Sequence, residues 1–106
     1  MARIEFTRIE EDIQGLAKEL FEGFVNQAKA DGITFLDDNR ETFVRRTEQF
    51  RNGEISETNY KNGLLNLAAL AKMERLKQEG LAKVEIDKFT RSVIDILIDA
   101  GLRAIA

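Results

Sequence analysis

Two carboxylates stand one helical turn apart in the most apolar part of the chain. Asp95 and Asp99 could together bind a cation or transfer a proton. Arg91 and Arg103 continue the same four-residue spacing, so each carboxylate has an opposite charge as a helical neighbour. Charge stripes of this kind usually face water. We therefore interpret these residues as a solvated stripe and assign no catalytic residue to them.

A second acidic group surrounds residues 31–41. It consists of Asp31, Asp37, Asp38 and Glu41, whose oxygen atoms are of the type that Ca²⁺ prefers. Their spacing differs from the twelve-residue loop of an EF-hand. A turn at Asp31 and a helix cap at Asp38 already explain two of the four. We predict no metal site.

The residue types needed for most enzymatic chemistry are missing. The chain has no Cys and no His, which excludes disulfides, thiol catalysis, His-based acid–base chemistry and the common zinc sites. Tyr60 could donate a proton, but with Ile55 it fits the two positions of a hydrophobic staple. Lys72 could be a catalytic amine, but a stem lying along apolar surface is far commoner. We predict a protein that is not an enzyme and has no cofactor.

Four arginines make one segment locally basic. Arg40, Arg45, Arg46 and Arg51 are candidate phosphate contacts of a nucleic-acid-binding surface. Glu41 and Glu48 dilute the charge, and no aromatic row or groove-reading motif accompanies it. Nineteen acidic residues against sixteen basic ones give a net charge of −3, which provides no general attraction to nucleic acid. Nucleic-acid binding is the less favoured expectation.

Composition predicts a single helical domain over residues 1–106. The 43% apolar fraction suffices for a core, and the 33% charged fraction suits a surface in water. The chain has no Pro, as expected for uninterrupted helices. The N-terminus lacks the apolar run of a secretory signal, and residues 92–106 are too short to cross a bilayer. We expect a cytoplasmic protein with no membrane partner.

Hydrophobic periodicity predicts an all-α fold, a small up-down bundle of four helices near residues 7–30, 38–52, 56–79 and 84–105, the second short. Thr7 and Glu10 form a capping box, and Ser56 is the cap of the third helix. Asp31-Gly32 is expected to form a turn, and Gly53 and Gly80 are expected to end helices in the left-handed conformation. The Gly53-Glu54-Ile55-Ser56 turn resembles that of the short C-terminal helical domain of many bacterial proteins. The resemblance covers only this hairpin, and we transfer no function from it.

The C-terminal helix carries two apolar rows. Phe89, Val93 and Leu97 lie on the row expected to face the core. A second row points about 90° away and would leave an apolar strip exposed in a monomer. Its residues are the predicted oligomer interface: Ile94, Ile98, Gly101, Leu102 and Ile105. Gly101 would let a second helix approach, and helix 1 or residues 33–36 are the alternative cover within one chain.

We therefore expect a non-enzymatic helical interaction module, a homodimer that associates through the C-terminal helix and could also bind another protein. A second hypothesis is a small hydrophobic ligand in a cavity between helices. That cavity would be lined by Phe21, Phe24, Phe43, Phe50 and Phe89. Against it, Phe at helical spacing is usually core. The third hypothesis is nucleic-acid binding through the four arginines.

Overall fold

A computed structural model of the chain describes residues 3–105. These residues contain five α-helices, two 3₁₀ turns and no β-strand. The helices are α1 (Phe6–Leu20), α2 (Val25–Arg51), α3 (Glu57–Leu65), α4 (Glu74–Gln78) and α5 (Lys83–Ile105). The 3₁₀ turns span Glu22–Phe24 and Asn66–Leu70. The all-α prediction is confirmed, whereas the predicted count of four helices is not.

The predicted helix over residues 7–30 is interrupted after Leu20. Phe21 has φ −132° and ψ 63°, outside the helical region. Its ring is buried and meets Phe89 of α5 edge-on, with the ring centroids 5.4 Å apart. The apolar stripe continues through this bend, so periodicity alone could not place it. The predicted capping box is also wrong, because α1 begins at Phe6 and its N-cap residue is Glu5.

Helix α2 runs straight through the predicted connector at residues 31–37. Asp31 and Gly32, predicted to form a turn, are both buried in the helix. A Cβ atom on Gly32 would lie 2.6 Å from Ile13 Cγ2 and 3.3 Å from Phe89 Cζ. Gly32 therefore permits α1 and α5 to pack closely against α2. This tertiary requirement explains a glycine in a helix interior, where it is otherwise unfavourable.

The two predicted glycine stops are confirmed. Gly53 has φ 74° and Gly80 has φ 79°, the left-handed conformation that glycine adopts easily. After Gly80, the Leu81 N–H donates to the Leu76 carbonyl at 3.4 Å, as in a Schellman motif. Ser56 also caps α3 as predicted, accepting from the Asn59 N–H at 3.0 Å.

The predicted third helix over residues 56–79 is broken in its middle. Following α3 and the second 3₁₀ turn, Ala71 is extended and Met73 is left-handed, with φ 46° and ψ 45°. The buried Asp31 carboxylate accepts from the Leu76 N–H at 2.9 Å and the Arg75 N–H at 3.3 Å. It also accepts from Arg75 Nη1 at 3.2 Å. Asp31 thus caps α4 from another helix, which holds the break in place.

The C-terminal helix α5 packs on α1, α2 and α3. Phe89 lies against Phe21, and Ile86 and Leu97 are also buried. Ten of its residues are buried, more than in any other helix of the described chain. Its predicted start at residue 84 differs from the observed one by a single position. Within residues 3–105, no helix has both the length and the apolar character needed to cross a membrane.

Candidate binding cleft and the predicted site residues

Most of the predicted oligomer interface is covered within one chain. Ile94 is 0% exposed and Ile98 is 9% exposed, and Gly101 is also buried. Leu102 and Ile105 are half-buried. Of the apolar residues from which the dimer was predicted, only Leu102 and Ile105 in the last turn of α5 are therefore more than slightly exposed. A homodimer through this helix stays a prediction, with less apolar surface in its support.

The close approach predicted at Gly101 is made by Tyr60 of the same chain. A Cβ atom on residue 101 would collide with the Tyr60 hydroxyl. Tyr60 is fully buried, and its hydroxyl oxygen lies 2.6 Å from Thr47 Oγ1. Because Thr47 donates its own hydrogen to the Phe43 carbonyl at 2.8 Å, Tyr60 is the donor in this pair. Gly101 therefore serves packing between α5 and α3.

Burial raises the pKa of Tyr60 above its ordinary value of 10.0, against the opposing effects of the Thr47 hydrogen bond and the Arg46 charge. The phenol is thus held neutral and fully engaged with the core. Its ring stacks on Phe50, with centroids 4.9 Å apart and planes 25° apart. These contacts give Tyr60 a packing role in the core, and the staple contact with Ile55 stays a prediction.

The four arginines do not form one phosphate-binding face. At 100° per residue, Arg40 and Arg51 lie about 20° apart on α2, and Arg45 and Arg46 point to other sides. Arg46 Nη2 donates to the Asn59 side chain at 2.7 Å and to its carbonyl at 3.0 Å. Arg40 lies over the Phe6 ring at 4.1 Å and pairs with Asp37 at 3.5 Å. Nucleic-acid binding stays a prediction.

The aromatic side chains of the predicted ligand cavity are packing residues. Phe21, Phe43 and Phe89 are buried, and Phe24 and Phe50 pack against the core. Besides the Phe21–Phe89 pair, Phe43 meets Phe6 edge-on at 6.2 Å. These five rings thus contribute to packing within the chain.

Three of the acidic candidates, Asp31, Asp37 and Asp95, have partners within the chain. The prediction that Asp38 caps a helix is wrong, because Asp38 lies in the interior of α2. Asp95 pairs with Arg91 at 3.7 Å, and both side chains are exposed. Asp31 caps α4, as described above. Over residues 3–105, no three side chains of Asp, Glu, His or Cys are grouped closely enough to hold a metal ion.

A surface cleft that none of these predicted sites includes lies between the α3–α4 break and the first turns of α5. Its volume is about 440 Å³. Buried Met73 and Ile86 line it together with half-buried Ala71 and Leu81. We call it the lysine cleft because three of its ten lining residues are lysines. The ten residues are Ala68, Ala71, Lys72, Met73, Lys77, Leu81, Lys83, Ile86, Asp87 and Thr90.

The lysine cleft has a positive rim. Lys72, Lys77 and Lys83 are exposed, and Asp87 is the single carboxylate among the lining residues. Lys83 Nζ lies 2.6 Å from Asp87 Oδ2. Lys72 and Lys77 form no ion pair with any residue in the described part of the chain. The cleft thus combines two free ammonium groups with an aliphatic interior.

The cleft could not be predicted from the sequence, because residues 66–73 have the pattern of a continuous helix. Such a helix would have placed Ala71 and Met73 one turn or less apart on a convex surface. The observed break turns the backbone at Met73 and creates a concavity. The one available signal was Lys72, a charged residue within an apolar run.

The cleft places charged groups beside an aliphatic surface, an arrangement that can bind a ligand. Lysine ammonium groups attract anions, and the aliphatic wall accepts a hydrocarbon group. Thr90 donates its hydroxyl hydrogen to the Ile86 carbonyl at 3.0 Å, so that hydrogen is committed within the helix. No protein-family model, curated protein or solved structure matches this chain.

Proposed function

We propose that the protein is a non-enzymatic helical interaction module whose recognition surface is the lysine cleft. The observation that carries this proposal is the combination of an aliphatic interior with a rim of three lysines. Its volume of about 440 Å³ lies within the range of known ligand sites, about 300–1,000 Å³. Five of its ten lining residues are apolar and four are charged, so one ligand could contact both kinds of surface.

The distribution of exposed apolar residues supports the same surface. Leu70 and Val84 are the two large hydrophobic residues that are exposed in the described chain, at 61% and 74%. Leu70 lies in the 3₁₀ turn that contributes Ala68 to the cleft, and Val84 follows the cleft residue Lys83. A single exposed apolar residue needs no explanation. Two of them on the segments that border one cleft favour a binding surface.

Backbone strain at the cleft is a further support. Met73 is the one residue other than glycine with positive φ among residues 3–105. Such strain costs roughly 1–3 kcal/mol and tends to persist at binding and switch regions. The Asp31 cap on the following helix maintains it, so the cleft is formed before any ligand arrives.

The test is an NMR fragment screen on the folded chain, read as amide shift changes. We expect the shifts to concentrate at Ala71, Met73 and Ile86. Ala68→Trp should abolish them by filling the cleft. Ala69→Trp is the matched control, since Ala69 is exposed in the same 3₁₀ turn but does not line the cleft. Shifts that survive Ala68→Trp unchanged would place the binding surface elsewhere.

A homodimer through α5 is a second candidate, favoured by the half-buried Leu102 and Ile105 in its last turns. Light scattering at high micromolar concentration tests it. A dimeric mass that falls to monomeric in Leu102→Asp plus Ile105→Asp, with the helical circular dichroism retained, would support it. A monomeric wild type would rule it out.

A further inference from the structure

The lysine cleft also indicates what its ligand is, an inference that rests on the function proposed above. We infer that the cleft binds a free single-chain anionic amphiphile, in which an alkyl chain carries an anionic head group. The alkyl chain lies on the aliphatic interior, and the head group lies among the rim lysines. Each half of this ligand follows from a separate feature of the cleft.

The interior selects a flexible hydrocarbon. Met73, Leu81 and Ile86 provide unbranched and branched aliphatic surface. Ala68 and Ala71 have short side chains, which leaves the space above them open. Aromatic residues are absent from the ten lining residues, so the stacking that holds nucleotide bases is unavailable there. The methionine thioether adapts to irregular apolar shapes, as an alkyl chain requires.

The rim selects an anion. The lining carries three ammonium groups against the one carboxylate of Asp87, a local charge of +2. The chain as a whole has a net charge of −3. The cleft is thus a basic site on an acidic protein, which favours an anion at this place. Since Lys72 and Lys77 have no acidic partner among residues 3–105, a ligand head group does not compete with an internal ion pair for them.

The same charge distribution favours a free amphiphile over a lipid bilayer. An anionic membrane attracts basic residues that are clustered on a flat or helical face near its surface. Here the lysines surround a concavity, and the net negative charge of the chain opposes approach to an anionic surface. A monomeric ligand can enter the cleft without bringing the rest of the surface close to other charges.

Calorimetric titration of the full chain with three dodecyl compounds tests this inference. The probes are dodecanoate, dodecanol and dodecyltrimethylammonium, each kept below the concentration at which it aggregates. Dodecanoate should bind, dodecanol should bind more weakly, and the cation should not bind. Equal binding of dodecanoate and the cation would overturn the inference.

Charge reversal on the rim distinguishes binding of dodecanoate in the cleft from its general attraction to positive charge on the protein surface. Lys72→Glu plus Lys77→Glu should weaken dodecanoate binding by about tenfold or more. The matched control is Lys18→Glu plus Arg45→Glu, which changes the net charge equally at exposed positions outside the cleft. Binding should be retained in the control. Equal weakening in both variants would overturn the inference.

The failures of the two proposals are distinguishable. If dodecanol binds as tightly as dodecanoate and the lysine variants have no effect, the head-group inference fails while the binding module stands. If no dodecyl compound, fragment or peptide moves the amide signals of Ala71, Met73 and Ile86, both fail. Binding to phosphatidylserine vesicles without binding to dodecanoate would overturn the inference in favour of a membrane surface. Binding of an acidic amphipathic peptide alone would overturn it in favour of a protein partner.

Discussion

Replacing Gly101 with alanine should destabilise the protein, although the same change in a helix usually has the opposite effect. In an unconstrained helix, Gly→Ala stabilises by roughly 0.5–1 kcal/mol because glycine loses more conformational freedom on folding. At residue 101 the new Cβ would collide with the Tyr60 hydroxyl and lie 2.9 Å from Tyr60 Cζ. Tyr60 is fully buried and bonded to Thr47, so it cannot simply move into solvent.

The expected magnitude follows from these contacts. Overpacking in a well-filled core costs about 1–3 kcal/mol. Displacing the Tyr60 hydroxyl from Thr47 costs about another 0.5–1.5 kcal/mol, the net value of a typical hydrogen bond. After the helix propensity gain, Gly101→Ala should lower the free energy of unfolding by about 0.5–4 kcal/mol.

Urea titration followed by far-ultraviolet circular dichroism measures this loss. Gly15→Ala in α1 is the matched control, because Gly15 is exposed and its Cβ would have no neighbour within 4 Å. The control should stabilise by about 0.5–1 kcal/mol. Adding Tyr60→Phe to Gly101→Ala removes the colliding hydroxyl, so the double variant should lose less than the sum of the two single changes.

A stabilised Gly101→Ala variant would refute the reasoning. It would mean that Tyr60 does not lie over residue 101. The glycine would then be free to let a second copy of α5 approach, as the homodimer hypothesis requires.

Three further predictions concern other parts of the core. Asp31→Asn should lower the free energy of unfolding, measured by urea titration, by about 1.5–3 kcal/mol, because the α4 cap loses its charged acceptor. The control Asp37→Asn, at an exposed ion pair, should change this free energy little. Tyr60 is the single tyrosine, so tyrosinate absorbance follows it directly, and its midpoint in the folded chain should lie above that of the urea-unfolded chain. Since the unfolded state loses the phenol proton first, the free energy of unfolding should fall as pH rises above about 10. Tyr60→Phe should remove this pH dependence. Equal midpoints in the folded and unfolded chains would contradict the prediction. Leu67→Ala should cost about 2–5 kcal/mol, since Leu67 is only 6% exposed, and a loss below about 1 kcal/mol would mean that the second 3₁₀ turn is not packed on the core.

Local chemistry was enough to predict the helical class and several helix ends. Helical periodicity and the absence of Pro indicate an all-α chain. Gly53, Gly80 and Ser56 act through bonds to residues at most five positions away. The start of α5 was predicted to within one residue. Interactions between residues so close in sequence can be predicted from a short stretch of the chain.

Cover of the second apolar row on α5 could not be predicted in the same way. The sequence shows that Ile94 and Ile98 are apolar, but both an intramolecular neighbour and a second copy would satisfy them. In the structure, both side chains are buried by residues of the same chain, and Tyr60 lies over the nearby Gly101. The outcome depends on α3 packing against α5, which no residue of α5 encodes.

The lysine cleft depends on contacts between distant segments of the chain. Residues 56–79 have the composition of a continuous helix, and Asp31-Gly32 has the composition of a turn. The Asp31 carboxylate instead caps α4 from 44 and 45 residues away, and Gly32 is buried where Ile13 and Phe89 come close. Sequence by itself determined the all-α class, the glycine stops and the Ser56 cap, because short-range hydrogen bonds and backbone conformation define them. Tertiary structure alone decided where helices break or continue and hence where the cleft forms, because burying a charged cap and closely packing three helices outweigh local propensity.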